Sequence, residues 1–258
     1  MRPEIVVGSK AVELRGLEDV QDLLREIGNQ APYVMARTIS RTAVKVKEAE
    51  VDEMRKVFDR PTPYTLSGVY AKTANKSDLT ARVWLKDKSQ AGKGTAAVDF
   101  LWPQVHGGDR QLKRFEKALE YAGVLPRGYY CVPGQAAQRD QYGNMNKGQI
   151  TQLLSYFQAM HDERAWMTDK RKKKLAKGTK SARGYAYFFM PPGKHLHPGI
   201  YQRTAFAWGS AVKPVVIFVK RTRYEKRLDF HGVGQSTVDK VWQDEFYQAF
   251  DDAIARRK

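Results

Sequence analysis

The closing stretch, residues 198–258, constrains the fold most. Val238, Val241, Trp242, Glu245, Phe246, Ala249, Phe250, Ala253 and Ile254 recur there at three- and four-residue spacing. That is the pattern of a helix with one apolar face. Packing onto a sheet is the simplest way to cover such a stripe. Ser236 is a candidate N-cap, and Asp239 early with Arg256, Arg257 and Lys258 late suit the helix dipole. Strands are expected at 200–207 and 215–219, the second (Val215-Val216-Ile217-Phe218-Val219) too apolar to lie exposed.

The front of the chain supplies the complement. Short strands are expected at 4–7 and 11–14, and a small helix where Leu17, Val20, Leu23, Leu24 and Ile27 recur. Pro32 opens a long helix that runs to Phe58, with Met35, Ile39, Ala43, Val46, Met54 and Val57 as its stripe. Glu50 interrupts that stripe, which places its turn near an edge. Arg37, Arg41 and Lys45 lie four apart on one side. They read either as a solvated ridge or as a row of cations facing phosphates or a neighbouring subunit. Arg60-Pro61-Thr62-Pro63 stops the helix. Alternating runs at 66–73 and 79–87 then predict a hairpin, with Val83 and Leu85 on the face opposite Arg82, Trp84 and Lys86.

In the middle, helices are expected over 111–122 and around Ile150, Leu153, Leu154, Phe157 and Met160. Extended backbone is expected at 129–133, a turn at Asp140-Gln141-Tyr142-Gly143-Asn144, and a strand at 185–190. Residues 170–183 carry eight basic side chains and no acidic one. Lys170, Arg171, Lys172, Lys173, Lys174 and Lys177 lead this tract, which has almost no apolar residue and reads as a mobile loop. The whole is read as one α+β domain over 1–258. An antiparallel sheet is packed by the long N-terminal helix and the C-terminal helix, and 88–197 is a large middle insertion.

With 45 Lys and Arg against 28 Asp and Glu, the chain carries +17. It should be drawn to polyanions, nucleic acid first, anionic membrane or an acidic protein second. One cysteine, Cys131, excludes an intrachain disulfide framework. No run approaches the ~18–20 apolar residues of a membrane span, and the opening residues do not read as a signal peptide.

No reactive constellation emerges. His195 and His197 are the one close histidine pair, but prolines surround them and no third metal ligand is identifiable. Asp251 and Asp252 are adjacent and would diverge by about 100° on a helix. Residues 92–95 (Gly-Lys-Gly-Thr) lack the spacing of a phosphate-binding loop. No catalytic residue, metal ligand or cofactor site is assigned. Basic and aromatic residues interleave at Arg221-Thr222-Arg223-Tyr224-Glu225-Lys226-Arg227, which could grip a nucleic-acid backbone with Tyr224 stacking, or form the polar face of a strand.

Taken together, several stretches resemble the minor tail protein Z and tail-completion (neck) proteins of long-tailed bacteriophages. They are Ala36-Arg37-Thr38-Ile39-Ser40-Arg41-Thr42-Ala43 with Arg60-Pro61-Thr62-Pro63; Val105-His106-Gly107-Gly108-Asp109-Arg110 with Phe115-Glu116 and Leu125-Pro126; Val132-Pro133-Gly134 through Asp140-Gln141-Tyr142-Gly143-Asn144 to Gly148-Gln149-Ile150; and Pro198-Gly199-Ile200-Tyr201, Phe218-Val219, Tyr224 and the closing helix. The resemblance implies a non-enzymatic virion protein at the head-proximal end of the tail, made in the host cytoplasm. It would form a ring, often sixfold, with further copies of itself. Its other partners would be the tail terminator, the tail tube, head-side connector proteins and the packaged DNA end. A nucleic-acid-binding protein or metal-dependent nuclease is the alternative. A scaffold binding an acidic partner through 170–183 is a third reading.

Overall fold

An apolar stripe with Pro32 in its first turn makes 31–57 a single helix of 27 residues, ended by extended backbone at Phe58. The computed structural model describes residues 4–7, 10–13, 28–90, 92, 94–221 and 223–255. In chain order the elements are β1 (Glu4–Val7), β2 (Lys10–Glu13), α1 (Ala31–Val57), the one-turn α2 (Pro63–Leu66), β3 (Val69–Lys72), β4 (Thr80–Leu85) and α3 (Ala97–His106). There follow α4 (Arg114–Tyr121), β5 (Tyr129–Pro133), α5 (Lys147–Tyr156), α6 (Asp169–Lys177), β6 (Ala186–Met190), β7 (Gly199–Phe206), β8 (Gly209–Lys220) and α7 (Phe230–Ala255). The class is α+β. The helix expected over 17–27 lies outside the described residues. No helix among the described residues is long and apolar enough to cross a membrane.

The chain divides into two units, Met1–Arg110 with Tyr224–Lys258, and Gln111–Arg223. The expected single domain with 88–197 inserted is corrected on both boundaries. Residues 97–106 form a helix whose Leu101 and Val105 enter the first core. The strands at 199–206 and 209–220 build the second unit's sheet instead of joining the N-terminal hairpin. The chain leaves and re-enters the first unit side by side, through paired hydrogen bonds from Gly108 N to Tyr224 O at 3.0 Å and from Tyr224 N to Gly108 O at 2.8 Å.

In the first unit, Val34, Ile39, Ala43, Val46 and Met54 of α1 meet Val238, Trp242, Phe246, Ala249 and Ala253 of α7 in one core with Val69, Ala81 and Val83 of the hairpin. Each of the larger of these side chains (Val, Ile, Met, Phe), fully buried, contributes roughly 1.5–3 kcal/mol. The sheet order is β2-β1-β4-β3. It is mixed where an antiparallel sheet was expected, because β1 runs parallel to β4. A parallel pair needs a long crossover, and α1 lies within the chain between these two strands. Buried Thr38 and Thr42 donate their hydroxyls to the carbonyls of Val34 and Thr38, at 2.8 and 2.9 Å.

The start of α7 corrects the N-cap. Asp229 holds that place: its carbonyl accepts from Val233 N at 2.9 Å. Ser236 lies inside the helix and donates to Val233 O at 3.2 Å. The first turn is therefore set by Asp229, well before the point that the apolar periodicity indicates.

The second unit is an antiparallel sheet of order β5-β8-β7-β6. Its core gathers Leu119, Leu125, Cys131, Leu153, Ile200, Val215, Val216 and Phe218. Pro214 cannot donate to the ladder, and it sits opposite Tyr201 where the β7–β8 register shifts. Buried Glu116 ties α4 to β5, accepting from Lys113 N at 2.7 Å and Cys131 N at 2.9 Å. Gln149 pins the connection after β5, accepting from Gln138 N at 2.8 Å and donating to Ala136 O at 3.2 Å. The turn expected at 140–144 is present, with Asp140 Oδ1 accepting from Tyr142 N and Asn144 N, each at 2.9 Å.

Candidate functional site

The basic tract is not a mobile loop. Residues 169–177 form α6, started by Thr168, whose side chain accepts from Arg171 N. Leu175 anchors it to the second core, and Lys172 lies over the Tyr156 ring at 5.1 Å. Asp169 in the first turn and Lys174 and Lys177 in the last suit the helix dipole. Beyond Gly178 the chain folds straight back: Thr179 N donates to Ala182 O at 2.8 Å and Tyr185 N to Leu175 O at 3.0 Å. The pattern misleads because a single anchor, Leu175, and a cap replace the usual apolar stripe.

Lys170, Arg171, Lys173, Lys174 and Lys177 are exposed along this helix. None of them has an ion-pair partner among the described residues. Like charges three and four apart repel by a few tenths of a kcal/mol per pair, so an anion laid along α6 would relieve the helix as well as bind it. Close by in the same unit, Arg183 covers Phe206 at 4.8 Å and Arg203 covers Phe188 at 4.9 Å.

The charge is segregated. Residues 111–223 hold 21 Lys and Arg against 6 Asp and Glu, a net +15 of the chain's +17. The first unit is thus close to neutral.

The second candidate row has its charge used internally. Arg37 Nε donates to Asp252 Oδ2 at 3.1 Å, and Arg41 Nη2 to the same oxygen at 3.0 Å. Arg41 Nε also lies 3.9 Å from Glu245, which Lys45 Nζ contacts directly. Glu245 is buried. Three cations and two carboxylates thereby join α1 to α7, so the row does not present three free charges to phosphate or to a neighbouring subunit.

Sequence reasoning missed a second feature of the first unit. Val98, Trp102, Val105 and His106 share one face of α3. With Trp84 and Leu85 of β4 and Phe230 and His231 of α7 they line a cavity of about 250 Å³. The Trp102 and His106 rings lie tilted against each other, 4.0 Å between centroids, and His231 lies 5.9 Å from His106. Partial desolvation of its ring, then the charges of His231 and Lys226, hold the pKa of His106 below that of an ordinary histidine, although the residue as a whole is exposed. The two histidines are 125 positions apart, and only the return of the chain at Tyr224 brings them together.

Glu50 also departs from expectation. It is fully buried, and neither carboxylate oxygen makes a well-formed hydrogen bond, the Gly234 backbone N–H giving only weak compensation. Burial, then the charges of Asp229 and Glu53, push its pKa up to about 9. Asp229 itself is held below the usual carboxylate range, chiefly by the hydrogen bond from Lys226 Nζ at 2.8 Å. Glu50 is therefore a neutral acid at pH 7.

His195 and His197 are exposed, in the connection between β6 and β7. Among the described residues no group of three or more His, Cys, Asp or Glu is placed to hold a metal ion. Tyr224 is half-buried, and its backbone pairs with Gly108. No family model matches the chain, and neither do any curated protein or solved structure.

Proposed function

We propose that the chain is a structural protein of a tailed-phage virion, a tail-completion or neck subunit. It assembles into a ring, expected to be sixfold, at the head-proximal end of the tail. The ring joins the tail to a DNA-filled head, between the tail terminator and tube on one side and the connector on the other. The observation that carries this reading is the division of labour between the units: 111–223 holds +15 of the +17. A near-neutral unit suits protein neighbours, and a strongly basic one suits the packaged DNA end. Phosphate neutralisation by such a surface is favourable and salt-sensitive, and it needs no base reading. The sequence resemblance to tail-completion proteins supplies the setting.

The test is mass measurement of the purified chain alone and mixed with tail tubes, together with probing purified virions for the protein. A ring mass and a place at the neck are expected. A chain that stays monomeric in both mixtures and is absent from virions overturns the reading. The alternative, a metal-dependent nuclease, predicts magnesium-dependent DNA cleavage that His195→Ala with His197→Ala abolishes.

A further inference from the structure

Two surface features, one in each unit, are each left uncovered within their own unit among the described residues. One is the tip of the β7–β8 hairpin. Past the Arg203–Val212 rung, where pairing with β6 ends, only Thr204–Ala211, Ala205–Ser210 and Phe206–Gly209 remain. At ~3.4 Å per residue these three rungs form a two-stranded arm about 10 Å long, touched on one side by Arg183 over the Phe206 ring. At its tip Trp208 is 98% exposed, with Phe206 and Val212 also exposed behind it. Tyr121 is as open, but it ends a helix seated on the core, whereas Trp208 is carried clear of it. Trp208, Phe206 and Val212 together give this arm a small contiguous apolar surface, a candidate for contact with a partner.

The other is the aromatic cavity of the first unit. Its volume of about 250 Å³ falls below the roughly 300–1,000 Å³ usual for small-molecule sites. It is on the scale of a single aromatic side chain. The rings of Trp84, Trp102 and Phe230 line it together with the imidazoles of His106 and His231. An indole N–H only donates, and a neutral imidazole offers one acceptor nitrogen. His106, its pKa lowered, provides that acceptor at pH 7. Size, apolar character and the one polar demand of an indole are all met.

We infer that Trp208 of one copy seats in the Trp84–Trp102–Phe230 cavity of a neighbouring copy, with the indole N–H directed to a lining histidine. The inference rests on the reading that the chain self-assembles, and it names the contact. The donor arm and the acceptor cavity are different surfaces. The contact is therefore head-to-tail, the kind that closes into a ring when its rotation allows. A buried tryptophan at the centre of such a contact belongs to the class of side chains that dominate association.

Sedimentation over a concentration series tests it with the full chain, Trp208→Ala, Trp102→Ala and the double variant. Trp208→Ala is expected to raise the self-association Kd roughly 30-fold or more, and Trp102→Ala to weaken it too. The double variant should be no weaker than Trp208→Ala alone, because both remove one contact. In parallel, a benzophenone amino acid at position 208 should cross-link to residues 97–106 or 230–231 of a second, isotope-labelled copy, a readout independent of whether Trp102→Ala folds. Full assembly of Trp208→Ala, or cross-links only outside the cavity, overturns the contact while leaving self-assembly standing. A wild-type chain that stays monomeric overturns both.

Discussion

Gly184 lies so close to Gly178 that a Cβ built on it would stand 2.5 Å from the Gly178 nitrogen. Gly178 itself has φ +76°, a conformation that side chains resist. This pair closes the turn that returns the chain from α6 to β6. Gly184→Ala is expected to force the turn open at an overpacking cost of about 1–3 kcal/mol and to fray the last turn of α6. Amide hydrogen exchange over 170–177 measures this. Unchanged protection there would show that α6 does not depend on the turn.

Stability should fall as the pH rises from about 4.5 to about 9. Glu50 has a raised folded-state pKa, about 9 against 4.5 for the free side chain. Between those values the folded protein holds a proton that the unfolded chain releases, so unfolding gains with rising pH. Near pH 7 the penalty is on the order of 3 kcal/mol. Glu50→Gln keeps the shape without the proton. Urea midpoints at pH 5, 7 and 9 should slope downward for the wild type and lie flatter for the variant, which should be the more stable of the two at pH 9.

The two cation rows should separate cleanly in salt titrations. Replacing Lys170, Arg171, Lys173 and Lys174 with Ala should flatten the plot of log K for duplex DNA against log salt. The expected change in slope is up to ~0.9 for each phosphate no longer neutralised. Arg37→Ala should leave that slope unchanged and lower the melting temperature instead, because Arg37 pairs with Asp252 of α7. A slope change with Arg37→Ala would place that row at the DNA.

Two cores imply two unfolding events. Cys131, the one thiol, is 5% exposed and belongs to the core of residues 111–223. Its labelling by a thiol reagent should therefore report opening of that unit alone. Glu50→Gln, placed in the other core, should shift one calorimetric transition and leave the labelling rate unchanged. A single transition that moves together with labelling would show the units to be one cooperative block.

Elements with regular spacing can be read from the sequence. The stripe of α1, the apolar run of α7, the alternating β4 and the Asp140 turn all announce themselves through local periodicity or turn chemistry. What escapes such reading is long-range. A carboxylate that interrupts a stripe points to an edge, yet Glu50 is buried as the neutral acid. Arg37, Arg41 and Lys45 look like a free row because their partners, Glu245 and Asp252, lie some 200 positions away. The basic helix is hidden because one leucine and one threonine hold it. The helix at 97–106 gives little local sign of itself, with Pro103 inside it and Ala97, Leu101 and Val105 on its buried face. The assignment of β7 and β8 to the unit of residues 111–223 has no local signature at all.

The Gly108–Tyr224 pairing has an evolutionary corollary. Where a chain departs and returns through adjoining backbone, the intervening segment can be excised or replaced across a short graft without breaking the host's core. Here the host would keep α1, α7 and their sheet, while +15 of the chain's net +17 would travel with the graft. Exchange of the basic segment would alter the charge of the chain while leaving the first core intact.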